Sequence, residues 1–265
     1  MRNLLDVLRH DLQAESDDLV GLLRELNDAD WNRPTACSPW TIKDQISHLA
    51  WNDDKTVQAL VDPTTFLSER PDSVAGIQRM VDQVIVDHHD MYPRDLLEWF
   101  TRARSGLLNT VEGADPKARL PWYGPDMSIA SKVTARLMET WAHGYDVFDA
   151  LGSLHPRTDR ARHVVFLGLQ AIPNTFTTNA RPVPTEPVRL ELEAPSGEHW
   201  IIGRPDAVNV VRGDAYELAL VVTQRMNPAD TRLRADGAVA TEWLTIAQAF
   251  AGPPGERRAP QQIRS

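Results

Sequence analysis

The sequence predicts a helical bundle in residues 1–155, followed by a small α+β domain in residues 156–252. Two patterns predict this fold class. Apolar residues recur at helical spacing through the first half, and residues 188–192 alternate apolar with charged residues, as a half-buried strand does. Gly152 and Pro156, residue types that interrupt regular secondary structure, lie where the two patterns meet. Residues 253–265 are rich in Pro, Arg and Gln, and we expect them to form a disordered tail.

The first half begins with three predicted helical regions. Leucines at positions 4, 5, 8, 12, 19, 22, 23 and 26 form one stripe with charged residues between them, and this spacing predicts a helix over residues 4–26. Thr41 is a suitable N-cap for a second helix, which we expect to end at Pro63. A third region over residues 73–111 should break or kink at Pro93, because proline lacks the backbone donor.

The remaining elements follow from turn residues and periodicity. Prolines and glycines over residues 113–126 predict a loop, after which Ser128 caps a helix that Gly152 and Pro156 terminate. Four prolines between Pro173 and Pro187 indicate a long irregular crossing. In the second half we predict helices over residues 158–171, 215–224 and 240–250, and strands over residues 188–192, 199–202 and 208–211.

Charge and cysteine content exclude several classes of protein. The 265 residues carry a formal net charge of −9, which argues against a general nucleic-acid binder and against an anionic membrane surface as the main partner. The single cysteine, Cys37, excludes an internal disulfide and a multi-cysteine metal site. No window approaches the uncharged run of a membrane span, and charges follow Met1 too soon for a signal peptide. These observations predict a cytoplasmic protein.

Three side chains on two predicted helices are candidate metal ligands. Glu139 and His143 are four residues apart, so they face the same way on the shoulder of an apolar stripe. His48 occupies a similar position on the second helix. Two His and one Glu suit Zn²⁺ or non-haem iron and leave a coordination position open, as catalytic sites do. The alternatives are a solvated Glu–His pair on a helix flank and a half-buried His48 bonded to a neighbour.

Two segments carry a resemblance to a known family. Residues 39–49 read Pro-Trp-Thr-Ile-Lys-Asp-Gln-Ile-Ser-His-Leu, which resembles the Trp-Ser/Thr-x-x-Asp-x-x-x-His-Leu segment of the DinB-like superfamily. Residues 139–146 read Glu-Thr-Trp-Ala-His-Gly-Tyr-Asp, which resembles the Glu-x-Trp-x-His-x-x-Asp segment of its mycothiol-dependent maleylpyruvate isomerase branch. The resemblance extends over roughly residues 1–252. It implies a DinB-like four-helix bundle and a small sterol-carrier-like α+β domain.

The resemblance also implies specific site residues. His48, Glu139 and His143 would hold a divalent metal, usually zinc, and an arginine of the second domain would hold a substrate carboxylate. Arg225 occupies the matching place, although the chain reads Val-Val-Thr-Gln-Arg where isomerases often read Trp-Leu-x-Gly-Arg. A planar, permanently charged guanidinium binds carboxylate through two parallel hydrogen bonds. The alternative for Arg225 is a helix C-terminal residue that interacts with the dipole.

These observations lead to an enzyme hypothesis. A zinc-dependent protein would use a low-molecular-weight thiol such as mycothiol as cosubstrate, in isomerisation or S-transfer on a small molecule such as a carboxylate. A metal-dependent hydrolase and a non-catalytic metal- and ligand-binding protein are the alternatives, and fold alone does not choose among them. Trp51 and Trp141 are candidate pocket residues, and Asp146 could orient a ligand. The oligomeric state and the role of Cys37 stay open.

Overall fold

The structure is a computed structural model that describes residues 3–255 and 257–260. The chain divides between His155 and Pro156 into two compact units. The helices of the first unit, in chain order, are α1 (Leu4–Leu23), α2 (Ile42–Val61), α3 (Pro63–Glu69), α4 (Val74–His88), α5 (Pro93–Thr110) and α6 (Ile129–Ala150). Helices α1, α2, α5 and α6 are the long ones, and they pack on one another as a four-helix bundle.

Polar side chains fix where the bundle helices begin. Asn3 accepts a hydrogen bond from the backbone of Asp6 at the start of α1. Thr41 and Asp44 form a reciprocal capping box at the start of α2, and the Ser128 hydroxyl caps α6. The cap at Thr41 sets the position of His48 two turns into α2.

As the sequence analysis expected, α2 ends before Pro63 and the region over residues 73–111 breaks before Pro93, and each proline also starts the next helix. Pro63 occupies the first turn of α3, and Pro93 occupies the first turn of α5 after a gap at residues 89–92. The first turn of a helix has backbone donors without intrahelical partners, so proline costs nothing there. The predicted loop over residues 113–126 also contains a short strand, β1 (Arg119–Leu120), paired with β2 (Met127–Ser128).

A buried ionic cluster joins three helices of the bundle. Asp53 on α2 accepts hydrogen bonds from Arg104 Nε of α5 at 2.7 Å and from Arg136 Nε of α6 at 2.9 Å. Arg104 also donates to Thr140 at 2.9 Å and to Ser16. All three charged side chains are almost fully buried. Burial by itself raises the pKa of Asp53, but the two guanidinium groups outweigh it and hold the pKa below its ordinary value.

The second unit contains a four-stranded sheet with helices. Its elements are α7 (Ala161–Gln170), α8 (Ile172–Thr178), β3 (Val188–Glu193), β4 (His199–Ile202), β5 (Asn209–Asp214), α9 (Ala215–Val222), β6 (Arg234–Asp236) and α10 (Ala238–Ile246). The strand order is β4-β3-β5-β6, with β3 parallel to β5 and the other pairs antiparallel. The predicted fold class, a four-helix bundle with a small α+β unit, is confirmed.

Several element boundaries in the prediction were wrong. The sequence analysis missed β6, whose three residues are too few to show a period. It placed an irregular crossing at Pro173, where α8 instead carries this proline in its first turn. The helix predicted over residues 4–26 ends at Leu23, and those predicted to reach residues 224 and 250 end at Val222 and Ile246.

Part of the tail predicted to be disordered is described by the structure. Residues 256 and 261–265 lie outside the described residues. The described tail residues contain no helix or strand, and Arg257 donates to the backbone carbonyls of Thr245 and Ala247. Among the described residues, no helix combines the length and apolar character that crossing a membrane requires.

The Asp53 cluster gives a stability prediction. Asp53→Asn keeps the shape of the side chain but removes the carboxylate that Arg104 and Arg136 share in the core, so we expect the free energy of unfolding to fall by about 3–5 kcal/mol. Urea unfolding followed by helical circular dichroism measures this. Glu112→Gln, which removes an exposed ion pair with Arg9, is the control and should change little. A loss for Asp53→Asn below about 1 kcal/mol would contradict the proposed role of the cluster.

Candidate metal centre

The three predicted ligands meet between α2 and α6. Each of His48, Glu139 and His143 offers a ligand atom, and these atoms all lie within 4.8 Å of one another. Glu139 Oε2 is 3.3 Å from His48 Nε2 and 3.3 Å from His143 Nε2. The site is half-buried, since the Glu139 side chain is 27% exposed and those of the two histidines 12% and 11%.

Gln45 fixes the protonation pattern of His143. The Gln45 amide nitrogen donates to the Thr35 hydroxyl at 2.7 Å, so the amide oxygen faces the His143 ring and accepts a hydrogen bond from Nδ1. An amide oxygen can only accept, and Nδ1 therefore carries the ring proton. The lone pair of His143 Nε2 then points at Glu139. This arrangement, in which the second ring nitrogen is held by a neighbour, is typical of metal-binding histidines.

His48 presents its lone pair in the same direction. Asn52, one turn further along α2, directs its amide nitrogen at His48 Nε2 from 3.2 Å and at the His48 carbonyl from 3.3 Å. A donor facing Nε2 favours the tautomer in which that atom is unprotonated. His48 Nδ1 is buried and has no hydrogen-bond partner among the residues that the structure describes.

The electrostatics of the site favour a bound cation. Burial lowers the pKa of His48 from its ordinary value of 6.5 to about 4, so the ring is neutral at neutral pH. Burial by itself raises the pKa of Glu139, but the two imidazoles beside it outweigh burial and hold the pKa well below its usual range. A carboxylate and two imidazole lone pairs therefore point at one volume. Two nitrogens and one oxygen at this spacing fit Zn²⁺ or a similar divalent ion.

Trp40 forms one wall of the site. Its ring centroid lies 4.9 Å from that of His48 and 5.7 Å from that of His143, with which it stacks. The loop before α2 holds it, because Trp40 N donates to the Cys37 carbonyl and Thr35 N to the Trp40 carbonyl. The sequence analysis gave no specific role to Trp40. The sequence feature that could have placed Trp40 at the site is its position immediately before the capping box of α2.

The two tryptophans predicted to line a pocket differ in their surroundings. Trp51 is half-buried and stacks on Tyr123, with ring centroids 6.0 Å apart. Trp141 is fully buried and packs against Tyr145 and His155, so it belongs to the bundle core and not to an open cleft. His155, for which the sequence indicated no partner, lies 3.3 Å from the buried carboxylate of Glu15.

Arg225 lies in the second unit, in the turn that follows α9. The predicted helix through Gln224 and Arg225 was wrong, because Gln224 adopts a left-handed φ of 63° and takes the chain out of the helix. Arg225 Nη1 donates to the Thr223 carbonyl at 2.7 Å. Asp146, predicted as a possible orienting residue, is buried.

The fold and the three converging side chains define a helical-bundle protein with a candidate metal centre and a second, α+β unit. Residues 12–148, more than half of the chain, match the family model described as mycothiol maleylpyruvate isomerase N-terminal domain. The chain belongs to this family, as the sequence resemblance predicted.

Full-length relatives and solved structures agree with this membership. An uncharacterized protein of Mycobacterium tuberculosis, found in two strains, is 43% identical over 250 residues, which cover 94% of this chain and 96% of the relative. The crystal structure of a mycothiol-dependent maleylpyruvate isomerase matches with a TM-score of 0.61 at 15% identity, over 89% of this chain and 95% of that one. A mutant of that isomerase matches with a TM-score of 0.62. At this identity the match establishes the fold.

The depressed pKa of His48 gives a pH prediction for the metal-free protein. Because the folded-state pKa of about 4 lies below the ordinary value of 6.5, the unfolded chain takes up the proton first as the pH falls. The contribution of His48 to the free energy of unfolding is therefore fully present above pH 6.5 and is lost as the pH falls toward 4. We expect about 2 kcal/mol of loss between pH 7 and pH 5.

The measurement is urea unfolding of chelator-treated protein at both pH values. Glu139, His143 and Arg136 also act on His48, so the comparison is with His48→Gln, which keeps a polar side chain but removes the titrating group. Between pH 7 and pH 5, the free energy of unfolding of the variant should fall by about 2 kcal/mol less than that of the wild type. Equal losses in the two proteins would contradict the assignment to His48.

Proposed function

We propose that this protein is a divalent-metal enzyme, with zinc as the metal, that uses mycothiol as a cosubstrate in isomerisation or S-transfer of the maleylpyruvate isomerase type. The observation that carries the proposal is the convergence of ligand atoms of His48, Glu139 and His143 within 4.8 Å of one another, with Glu139 Oε2 3.3 Å from Nε2 of each histidine. Family membership over residues 12–148 supports the thiol as cosubstrate.

The residues of this chain would hold the metal and shape the reaction space. His48, Glu139 and His143 supply three ligands and leave a coordination position open, as catalytic zinc sites do. A divalent ion there would supply Lewis-acid stabilisation of a thiolate at neutral pH. Gln45 keeps the Nε2 lone pair of His143 directed at the site, and Trp40 excludes water from one side.

The chemistry conserves atoms between substrate and product. The thiolate sulfur adds to an alkene carbon, the former double bond rotates as a single bond, and elimination breaks the same C–S bond and restores the thiolate. Addition makes the carbon beside an activating carbonyl enolate-like, and we assign Arg225 to hold a substrate carboxylate and stabilise that charge. S-transfer would follow if the thiolate attacked an electrophile without the reversal.

Metal analysis tests the proposed ligands. Wild-type protein should contain zinc near one equivalent, and His48→Ala, Glu139→Ala and His143→Ala should each lose most of it, because two remaining ligands hold zinc weakly. His10→Ala, on the exposed face of α1, is the matched control and should keep the metal. Helical circular dichroism should persist in all four variants. Unchanged zinc content in all three ligand variants would refute the site.

A thiol-dependence assay tests the reaction. With maleylpyruvate as substrate, turnover should require added mycothiol and should stop in Arg225→Ala while zinc is retained, because the guanidinium acts on the substrate. Asn179→Ser, in the same unit, serves as the control with normal turnover. An unaffected rate in Arg225→Ala would remove this residue from the mechanism. Hydrolytic activity that survives the removal of all small thiols would instead favour a hydrolase.

A further inference from the structure

The turn that carries Arg225 is well defined by its own backbone. Gln224 N donates to the Val221 carbonyl at 3.0 Å, Arg225 N to the Leu220 carbonyl at 2.7 Å, and Met226 N to the same carbonyl at 3.3 Å. These bonds close the end of α9 around the left-handed Gln224. A non-glycine residue in this conformation is strained and persists only where its surroundings hold it.

Those surroundings are a C-terminal strap, which we define as residues 248–255 with Arg257 and Arg258. Ahead of Arg225, the strap joins the end of α9 through Ala249 N, which donates to the Val222 carbonyl at 2.8 Å. After Arg225, Asn227 Nδ2 donates to the Arg258 carbonyl at 2.8 Å. The strap is therefore bonded to the chain on both sides of Arg225.

A glycine lets the strap approach the left-handed residue closely. A Cβ built on Gly255 would lie 2.2 Å from Gln224 Oε1, well inside van der Waals contact. The backbone of the strap therefore runs directly against the side chain of the residue that precedes Arg225.

The strap is itself anchored to the second unit. Gln248 is fully buried, and its amide nitrogen donates to the carbonyls of Phe250 at 3.0 Å and Gly252 at 3.1 Å. The Thr175 hydroxyl of α8 donates to the Gln248 carbonyl at 2.8 Å. At the other end, Arg257 donates to backbone carbonyls at the end of α10. An anchored strap can restrain the turn that it contacts.

We propose that the strap is a positioning element that holds the Arg225 turn in one conformation and thereby sets the affinity of the enzyme for the anionic group of its substrate. The inference rests on the proposed role of Arg225 in binding that group. A guanidinium on a turn held in place loses less conformational freedom when a carboxylate binds, and the difference appears as affinity. Asn227 and Gln248 are then positioning residues that act through Arg225.

Asn227→Ser tests the strap in the full-length protein. Serine can still accept the hydrogen bond that the Asn227 side chain takes from Ala229 N, but it is too short to donate to the Arg258 carbonyl. We expect the KM for maleylpyruvate to rise about fivefold, with kcat within about twofold and zinc content unchanged. Asn179→Ser removes an equivalent 2.8 Å bond to the Thr175 carbonyl, which belongs to α8 and not to the strap, and is the control.

A second variant and a double variant distinguish an effect on the position of Arg225 from general destabilisation of the fold. Gln248→Met has nearly the same volume and removes the hydrogen bonds inside the strap, so it should raise KM in the same way. In an Arg225→Lys background, Asn227→Ser should add little to the KM, because a residue that acts through the guanidinium has nothing left to position. Full additivity, or a change in kcat alone, would overturn the proposal.

Hydrogen exchange supplies a readout that does not depend on turnover. The amides of Gln224, Arg225 and Met226 should exchange faster in Asn227→Ser than in the wild type, whereas Asn179→Ser should leave them unchanged. Unchanged exchange of these amides in Asn227→Ser would overturn the proposal that the strap restrains the turn, even if the enzyme proves to be active. If the wild type shows no thiol-dependent turnover, the proposed function and the predicted effect on KM are refuted. Faster exchange in the variant would still support the restraint of the turn by the strap.

Discussion

The bundle depends on one buried carboxylate that pairs with two guanidinium groups. Asp53 of α2 binds Arg104 of α5 and Arg136 of α6, and the attraction between these charges in a medium of low dielectric constant compensates for their lost hydration only in this geometry. The pairing also fixes the register of α2 against α6. His48 precedes Asp53 by five residues and Glu139 follows Arg136 by three, so the register set by the ion pair brings the two candidate ligands face to face. Stability and the metal centre thus share a single constraint.

The candidate centre brings the electron pairs of three side chains to one place in the bundle. The lone pairs of His48 and His143 face the Glu139 carboxylate, an arrangement that repels unless a cation or a proton lies among them. Burial disfavours the proton on His48, and Gln45 holds the proton of His143 on the opposite side of its ring. The bundle maintains the arrangement because each side chain is oriented by a neighbour on α2. A divalent ion would relieve the repulsion, which is the physical reason for placing one there.

The sequence predicted those parts of the structure that depend on local spacing. Glu139 and His143 share a helix face because they are four residues apart, and the stripe of α6 follows from its apolar period. The Asp53 cluster could not be predicted in this way, since Arg104 and Arg136 lie 51 and 83 residues further along the chain and charged residues normally indicate exposed positions. Pro63 shows a different limit. The residue type marks a boundary, but only tertiary context decides whether a helix ends or begins there.

The departure from the family pattern at Arg225 has a structural explanation. The resemblance implies glycine immediately before the arginine, and this chain has Gln224, which the structure places at a φ of 63°. Glycine adopts that conformation without steric cost, whereas glutamine has to be held in it. The contacts of the strap with Gln224 and with both sides of the turn provide such a restraint. A turn that glycine forms through its own backbone freedom is thus formed here by packing, and loss of the Asn227 bond would act on Arg225 through the strain at Gln224.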